Sequence, residues 1–389
     1  MDGAKFAKML SDKHLFELDR MEYKYSVSSV NEFTELLRQN FAQSLPLVDF
    51  SSDELFYLPN LARISTNGMK QLLSAPASNQ SFGLQAMTEE IHATFQIESI
   101  HSSRNSIRHI LNGYAPRNEE ESRIYGMKRG LDFIADRQNT ITEENLHQLY
   151  QISTGDYLPD EDRPLPDHFY RHDVVYVVDG EESREGLPAQ QLPDAMKRLV
   201  DFANAKDGIN ELHKAAILHF SFAYYHPYFD GNGRTARLLH LWYLVQQGYP
   251  AALFTPFSRY IAESKAAYYK AYDRVEKNAL ISGYTDVTPF LSYFCNEVYN
   301  RLQVDAAPPQ ADLQVYQTAL AEGKITEKER LLWEYVLSAY GTEEFTTKQL
   351  EKDFRNAAYA TIRTFVMKFH EMELLVARKT GNRVFYKVK

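Results

Sequence analysis

Helical periodicity governs most of this 389-residue sequence, and a single short β-branched run interrupts it. From Leu84 onward apolar residues return near a 3.6 period, with Met87, Ile91, Phe95 and Ile97 on one stripe. A second helical stretch runs from Ser103 through Ile107, Ile110 and Leu111 to a stop at Gly113. Further amphipathic helices fit 121–137, 143–153, 192–204 and 209–225. The exception is Val174-Val175-Tyr176-Val177-Val178, followed by the turn signal Asp179-Gly180. Its return strand has to come from the charged 181–187 region, which predicts an isolated hairpin lying against the helices. A mainly α fold is the expectation.

The chain divides by composition. Residues 1–83 contain Pro46, Pro59 and Pro76 and read as short helices and loops. A helical domain spans 84–305, and Ala306-Ala307-Pro308-Pro309-Gln310 opens a linker over 306–324. The remainder, 325–389, predicts helices at 327–338, 347–354 and 357–372, an extended Phe345-Thr346, and strands at 374–379 and 383–387 around Thr380-Gly381-Asn382. That is the element order of a winged helix-turn-helix. This part carries 12 Lys and Arg against 9 Asp and Glu, a net of +3; the rest carries 31 against 43, or −12. The acidic balance argues against a chain wrapped wholesale around nucleic acid. Cys295 is the only cysteine, so no intramolecular disulfide or cysteine-based zinc cluster forms. The start Met1-Asp2-Gly3-Ala4-Lys5-Phe6 lacks the apolar stretch of a signal peptide, and no run approaches the ~18 apolar residues of a membrane helix, so a cytoplasmic location is the default.

Chemistry concentrates in His226-Pro227-Tyr228-Phe229-Asp230-Gly231-Asn232-Gly233-Arg234-Thr235-Ala236-Arg237. It follows one apolar helix and opens another, expected from Thr235 to about Gln247. Two glycines just before a helix let backbone N–H groups converge where the helix dipole is positive, which suits a phosphate. Arg234 and Arg237, three apart, share a face of the first turn. Cations there oppose the dipole, so stability alone would prefer acids; a bound polyanion reverses the sign. Asp230 beside this nest repels phosphate unless a divalent cation intervenes, and one carboxylate plus phosphate oxygens is how Mg²⁺ is usually held. His226 is placed to take a proton from an attacking hydroxyl. Taken singly, a helix-end histidine, a Gly-x-Gly and an arginine pair are ordinary surface features. Their conjunction within twelve residues is what points to a site.

This stretch resembles the active-site motif of the Fic family, His-x-Phe-x-(Asp/Glu)-Gly-Asn-Gly-Arg-x-x-Arg, with Tyr228 in place of Phe. The similarity in element order covers about 85–300. The resemblance implies a Fic-type helical bundle and transfer of AMP from ATP to a Ser, Thr or Tyr hydroxyl of a target protein. It implies His226 as general base, Asp230 as Mg²⁺ ligand, Gly231, Asn232 and Gly233 as an anion hole with the Asn232 side chain on the α-phosphate, and Arg234 and Arg237 on the β/γ end. In the Doc branch, which phosphorylates, a lysine replaces the glycine found here as Gly233, so nucleotidyl transfer is favoured. The run 174–178 falls where family members carry the flap that holds a target segment by edge-strand pairing; a plain surface hairpin is the competing reading.

Thr94-Phe95-Gln96-Ile97-Glu98-Ser99 resembles the family's inhibitory motif, (Ser/Thr)-x-x-x-Glu-(Gly/Asn), with Ser99 departing from it. The resemblance implies that Glu98 pairs with Arg237 and displaces the γ-phosphate, as in the class with an N-terminal inhibitory helix. At 259–269, Ser264-Lys265 replaces the Asn-Arg pair that often contacts adenine. The main expectation is an autoinhibited protein adenylyltransferase. Two alternatives stay open: a transcriptional regulator that binds DNA through 325–389 with the nucleotide site as sensor, and removal of AMP from a modified target. The sequence also leaves a homodimer open.

Overall fold

The computed structural model describes residues 1–73, 80–179, 182–249, 251–302, 310–340, 344–381 and 383–389. The expected turns at Gly180 and Asn382, and the Ala306–Pro309 part of the linker signal, lie outside them. Helices dominate, and among the described residues the strands form three separate antiparallel pairs. No helix among them is long and apolar enough to cross a membrane.

Two helices make the centre, Glu211–Tyr225 and Asn232–Gln246, and the motif is the loop between them. Both are apolar nearly all round, as helices enclosed by others must be. Leu212, Ile217, Phe220, Leu238, Leu241 and Trp242 are buried in the largest core. Around the pair pack Glu119–Ala135, Glu143–Ser153, Leu192–Asn204 and the long helix Gln80–Ile97. The Gln80–Ile97 helix lies against Phe257–Glu263, where the buried Glu90 accepts the Ser258 N–H at 2.9 Å and the Ser258 hydroxyl as well. Burial pushes the Glu90 carboxyl upward, against the pull of those bonds.

The β-branched run is a hairpin, Tyr176–Asp179 against Glu182–Glu185, with Tyr176 opposite Glu185 and Val178 opposite Ser183. The charged segment does supply the return strand. Val174 and Tyr176 are exposed, consistent with an uncovered edge.

Two boundaries differ from expectation. Residues 43–73 are not a separate segment: Gln43–Val48 pairs with Glu54–Tyr57, and Leu45, Leu47, Leu55, Tyr57, Ala62 and Leu72 belong to the central core. Alternation in Ser44-Leu45-Pro46-Leu47 marks that strand, and the proline masked it. The earlier helices pack around a smaller core of Met9, Met21, Val30 and Phe33, which Leu58 joins. Within 306–324, Gln310–Ala321 is a helix, and Ala319 is buried in the C-terminal core. The double proline that signals a linker stops short of it.

The C-terminal part runs Glu327–Ala339, a bridge from Phe345 to Tyr386, Thr347–Phe354, Tyr359–Glu371, then strands Leu375–Thr380 and Arg383–Val388. Glu327–Ala339 packs on the Gln80–Ile97 helix. The Asn112 side-chain amide donates to the Tyr335 hydroxyl at 3.0 Å, and the Arg355 guanidinium lies 3.5 Å from the Tyr114 ring centroid.

Candidate active site

The loop 226–231 turns on two left-handed residues. His226 caps the first helix at φ 55°, ψ 61°, and Gly231 caps the second at φ 80°. A side chain at 231 would be strained by that φ, and its Cβ would lie 2.3 Å from Thr154 Cγ2. The second helix therefore begins at Asn232, three residues before the expected start. The difference matters. Asn232, Gly233 and Arg234 occupy its first turn, where backbone N–H groups have no partner within the helix.

The Asn232 side chain does something other than face a phosphate. It is buried, accepts the Tyr228 N–H at 2.9 Å and donates to the Tyr228 carbonyl at 2.8 Å. It braces the loop whose backbone forms the cradle. The Tyr228 ring stacks on Tyr150 with centroids 3.4 Å apart, deep in the core. Its hydroxyl is buried without a hydrogen-bond partner among the described residues, and burial raises it well above the usual phenol range.

The His226 ring is partly exposed, with Nδ1 3.3 Å from the Ala223 carbonyl. A carbonyl only accepts, so Nδ1 carries the hydrogen of the neutral ring and the basic lone pair is on Nε2. Asp230 is 55% exposed; one oxygen accepts the Gly231 N–H at 2.6 Å, the other meets Arg234 Nη2 at 3.1 Å. Among the described residues no group of three or more acidic, histidine or cysteine side chains could hold a metal. An exposed carboxylate at a phosphate cradle fits a cation that takes its other ligands from phosphates and water.

Arg234 and Arg237 are both nearly buried, and both reach Glu98. Arg234 Nε lies 2.8 Å from one carboxylate oxygen, and Arg237 Nη2 contacts the other. Thr94, one turn earlier, accepts from Arg237 Nε at 2.5 Å and from Nη2 through its carbonyl at 3.4 Å. Burial is the largest single influence and pushes the Arg237 guanidinium down, but the charge and hydrogen bond of Glu98, with Tyr268 and Tyr269, together hold it above its ordinary value. Gly233 makes room for this pair. A Cβ there would lie 2.7 Å from Glu98 Oε1 and 3.2 Å from Arg237 Nη1.

Ser99, just past Glu98, sits at φ 57°, the conformation that suits glycine or asparagine, and Lys265 Nζ donates to its hydroxyl at 3.1 Å. Ser264 joins two helices and meets the Tyr293 hydroxyl at 2.8 Å. Sequence reasoning overlooked the groups behind the arginines. Tyr268 bonds the fully buried His219 at 2.8 Å, and burial, then His240 and Arg237, drive His219 well below the usual imidazole range. It also overlooked Arg171, a buried arginine at the base of the hairpin; nothing in the periodicity separates it from a surface residue.

Residues 140–244 match the Fic/DOC family. The match is to a Fic domain. The chain is 28% identical over 141 residues to "Protein adenylyltransferase Fic" of Nematostella vectensis, covering 34% of this chain and 31% of that protein. Over 181 residues it is 25% identical to "Protein adenylyltransferase fic-1" of Caenorhabditis briggsae, covering 45% and 31%. The chain thus spans under a third of the length of these curated relatives. Among solved structures, a Fic family protein from Desulfovibrio desulfuricans aligns with a TM-score of 0.48 at 18% identity, over 78% of this chain and 86% of that one. Fic-1 from C. elegans aligns at 0.42 and 23% identity, over 66% and 73%.

Proposed function

We propose that this chain is a protein adenylyltransferase, moving AMP from ATP to a hydroxyl of a target protein, with Glu98 as an intramolecular brake. The observation that carries the reading is that one loop holds His226 at one end and, at the other, the first turn of Asn232–Gln246 with its two buried arginines. The names of the adenylyltransferase relatives point the same way.

The chemistry follows from these groups. The α-phosphate rests on the N–H groups of the first turn, drawn by the positive end of the helix. His226 Nε2 takes the proton of the target hydroxyl as its oxygen bonds to the α-phosphorus. The bond from phosphorus to the α,β-bridging oxygen breaks, and pyrophosphate leaves with its charge gathered by Arg234 and Arg237. Asp230 would hold Mg²⁺, which would neutralise charge between the α- and β-phosphates. The exposed edge around Val174 and Tyr176 can pair an extended target segment. Glu98 competes with the terminal phosphate for the guanidinium groups.

The test is transfer from α-labelled ATP with Mg²⁺ and a cell lysate, comparing the parent chain, Glu98→Gly and His226→Ala. Label on protein with Glu98→Gly, and none with His226→Ala added, is expected. No transfer by any variant sinks the reading. Loss of label from a premodified target would reassign the site to AMP removal.

The reading as a DNA-binding regulator rests on the helix order and basic residues of the C-terminal part. Arg363, Lys379, Arg383 and Lys387 are exposed there. Others have internal roles: Lys368 bonds Glu329, Arg378 pairs with Glu344, and Arg355 stacks on Tyr114. Salt-sensitive binding to a duplex from the upstream region of its own gene would support this role; no binding at low salt would remove it.

A further inference from the structure

We propose that Arg171 is the positioning residue of the general base, tying the base of the hairpin to the left-handed turn at His226. The inference rests on the adenylyltransferase reading. Arg171 is 3% exposed, and each of its three guanidinium nitrogens donates to a backbone carbonyl. Nε donates to His226 at 2.8 Å, Nη1 to Asp173 at 2.6 Å, and Nη2 to Leu187. Its backbone N–H donates to the Pro227 carbonyl at 2.9 Å. One side chain therefore joins the segment entering the hairpin, the segment leaving it, and the turn that carries His226.

Each attachment answers a local need. His226 follows the last turn of Glu211–Tyr225, where carbonyls lack helical partners and the dipole is negative. A cation donating there satisfies both. The left-handed conformation of a residue with a Cβ persists only where its surroundings over-determine it. Arg171 supplies that from one side, and the Leu187 N–H, donating to the Tyr225 carbonyl at 3.2 Å, from the other. Gly186 leaves room for the arrangement. A Cβ there would lie 2.8 Å from Arg171 Nη2 and 3.3 Å from His226 Cβ. A planar fork reaches three carbonyls at once; the single ammonium of lysine does not.

Its guanidinium bonds go to His226, Asp173 and Leu187 and to no nucleotide-cradle group among the described residues, and this separates positioning from general structure. In a Glu98→Gly background, Arg171→Met should lower kcat for label transfer roughly 30- to 100-fold, the scale of a 1 Å misplacement. ATP affinity by calorimetry should stay within about threefold, because the cradle and the arginines are untouched. Arg171→Lys should recover part of the loss. Gly186→Ala, which crowds the guanidinium without removing it, should show the same split and guards against a misfolded methionine variant. Unchanged kcat in both Arg171→Met and Gly186→Ala overturns the proposal. So does a parallel loss of kcat and ATP affinity in both. If the Glu98→Gly parent transfers nothing, the functional reading fails, and long-range ¹H–¹⁵N spectra of the imidazole still decide this one. A His226 ring fixed with Nδ1 protonated should become a tautomer mixture in Arg171→Met; an unchanged signature refutes the positioning role.

Discussion

Replacing Glu98 by glutamine keeps the shape and removes the charge that two buried arginines share. Arg234 retains Asp230 at 3.1 Å, whereas Arg237 retains the oxygens of Thr94 and the Tyr268 hydroxyl but pairs with no other carboxylate among the described residues. Breaking a buried ion pair by removing one partner costs about 3–5 kcal/mol. The glutamate is 19% exposed and Thr94 still accepts two bonds, so the cost falls to or below the bottom of that range, about 2–3 kcal/mol. With an unfolding entropy of ~2.1 cal/mol/K per residue over the chain, that is a fall in Tm of about 3 °C without nucleotide. The sign reverses when phosphate is present. If Glu98 is the proposed brake, wild type has to break the pair to admit a γ-phosphate and the variant does not, so ATP should bind roughly 30- to 150-fold more tightly to Glu98→Gln, at about 1.4 kcal/mol per tenfold. Calorimetric titration with ATP and Mg²⁺, beside thermal unfolding with and without nucleotide, measures both. A variant with unchanged Tm and unchanged ATP affinity would refute the argument that this carboxylate and the nucleotide compete.

Tyr228→Phe deletes a buried hydroxyl that has no partner among the described residues, so it should raise stability by about 1 kcal/mol and leave kcat unchanged; thermal unfolding reads the sign. Asp286 is partly buried, and desolvation pushes its carboxyl up to about 6, above its ordinary value, although Thr288 donates to it. The native state therefore binds the extra proton, and stability should fall as pH rises from about 4 to 6, by about 3 kcal/mol from this group. Asp286→Asn should abolish that slope in urea titrations across the interval. Gly231→Ala forces a Cβ toward Thr154 at a positive φ, and calorimetry should find ATP affinity reduced at least about tenfold.

The helices were legible because they are amphipathic, and the hairpin because its first strand is β-branched. The central motif was legible for another reason: glycines, arginines and a histidine in that order conflict with what a helix start prefers. Asn232 shows the limit. Its residue type suits a phosphate contact, but its partners are peptide groups four residues back, which spacing alone does not reveal. The strand at 43–48 hid behind Pro46, and the early start of the Asn232 helix followed from a left-handed Gly231 that no propensity anticipates. Arg171 and Tyr268 were illegible because their importance lies wholly in tertiary partners.

The Gln80–Ile97 helix packs along Phe257–Glu263, is tied there through Glu90, and also carries the C-terminal helix Glu327–Ala339. A rod gripped this way has no soft lateral mode, so translating it as a unit disturbs packing in two parts of the chain. Its compliant point is the end. Ile97 closes the last turn, Glu98 follows, and Ser99 sits in a conformation that costs a serine about 1 kcal/mol or more. Fraying at helix ends is fast, on a scale far below a millisecond. On the proposed function, opening of the arginines is then a flicker of one turn, and basal turnover would report how often that turn is undone.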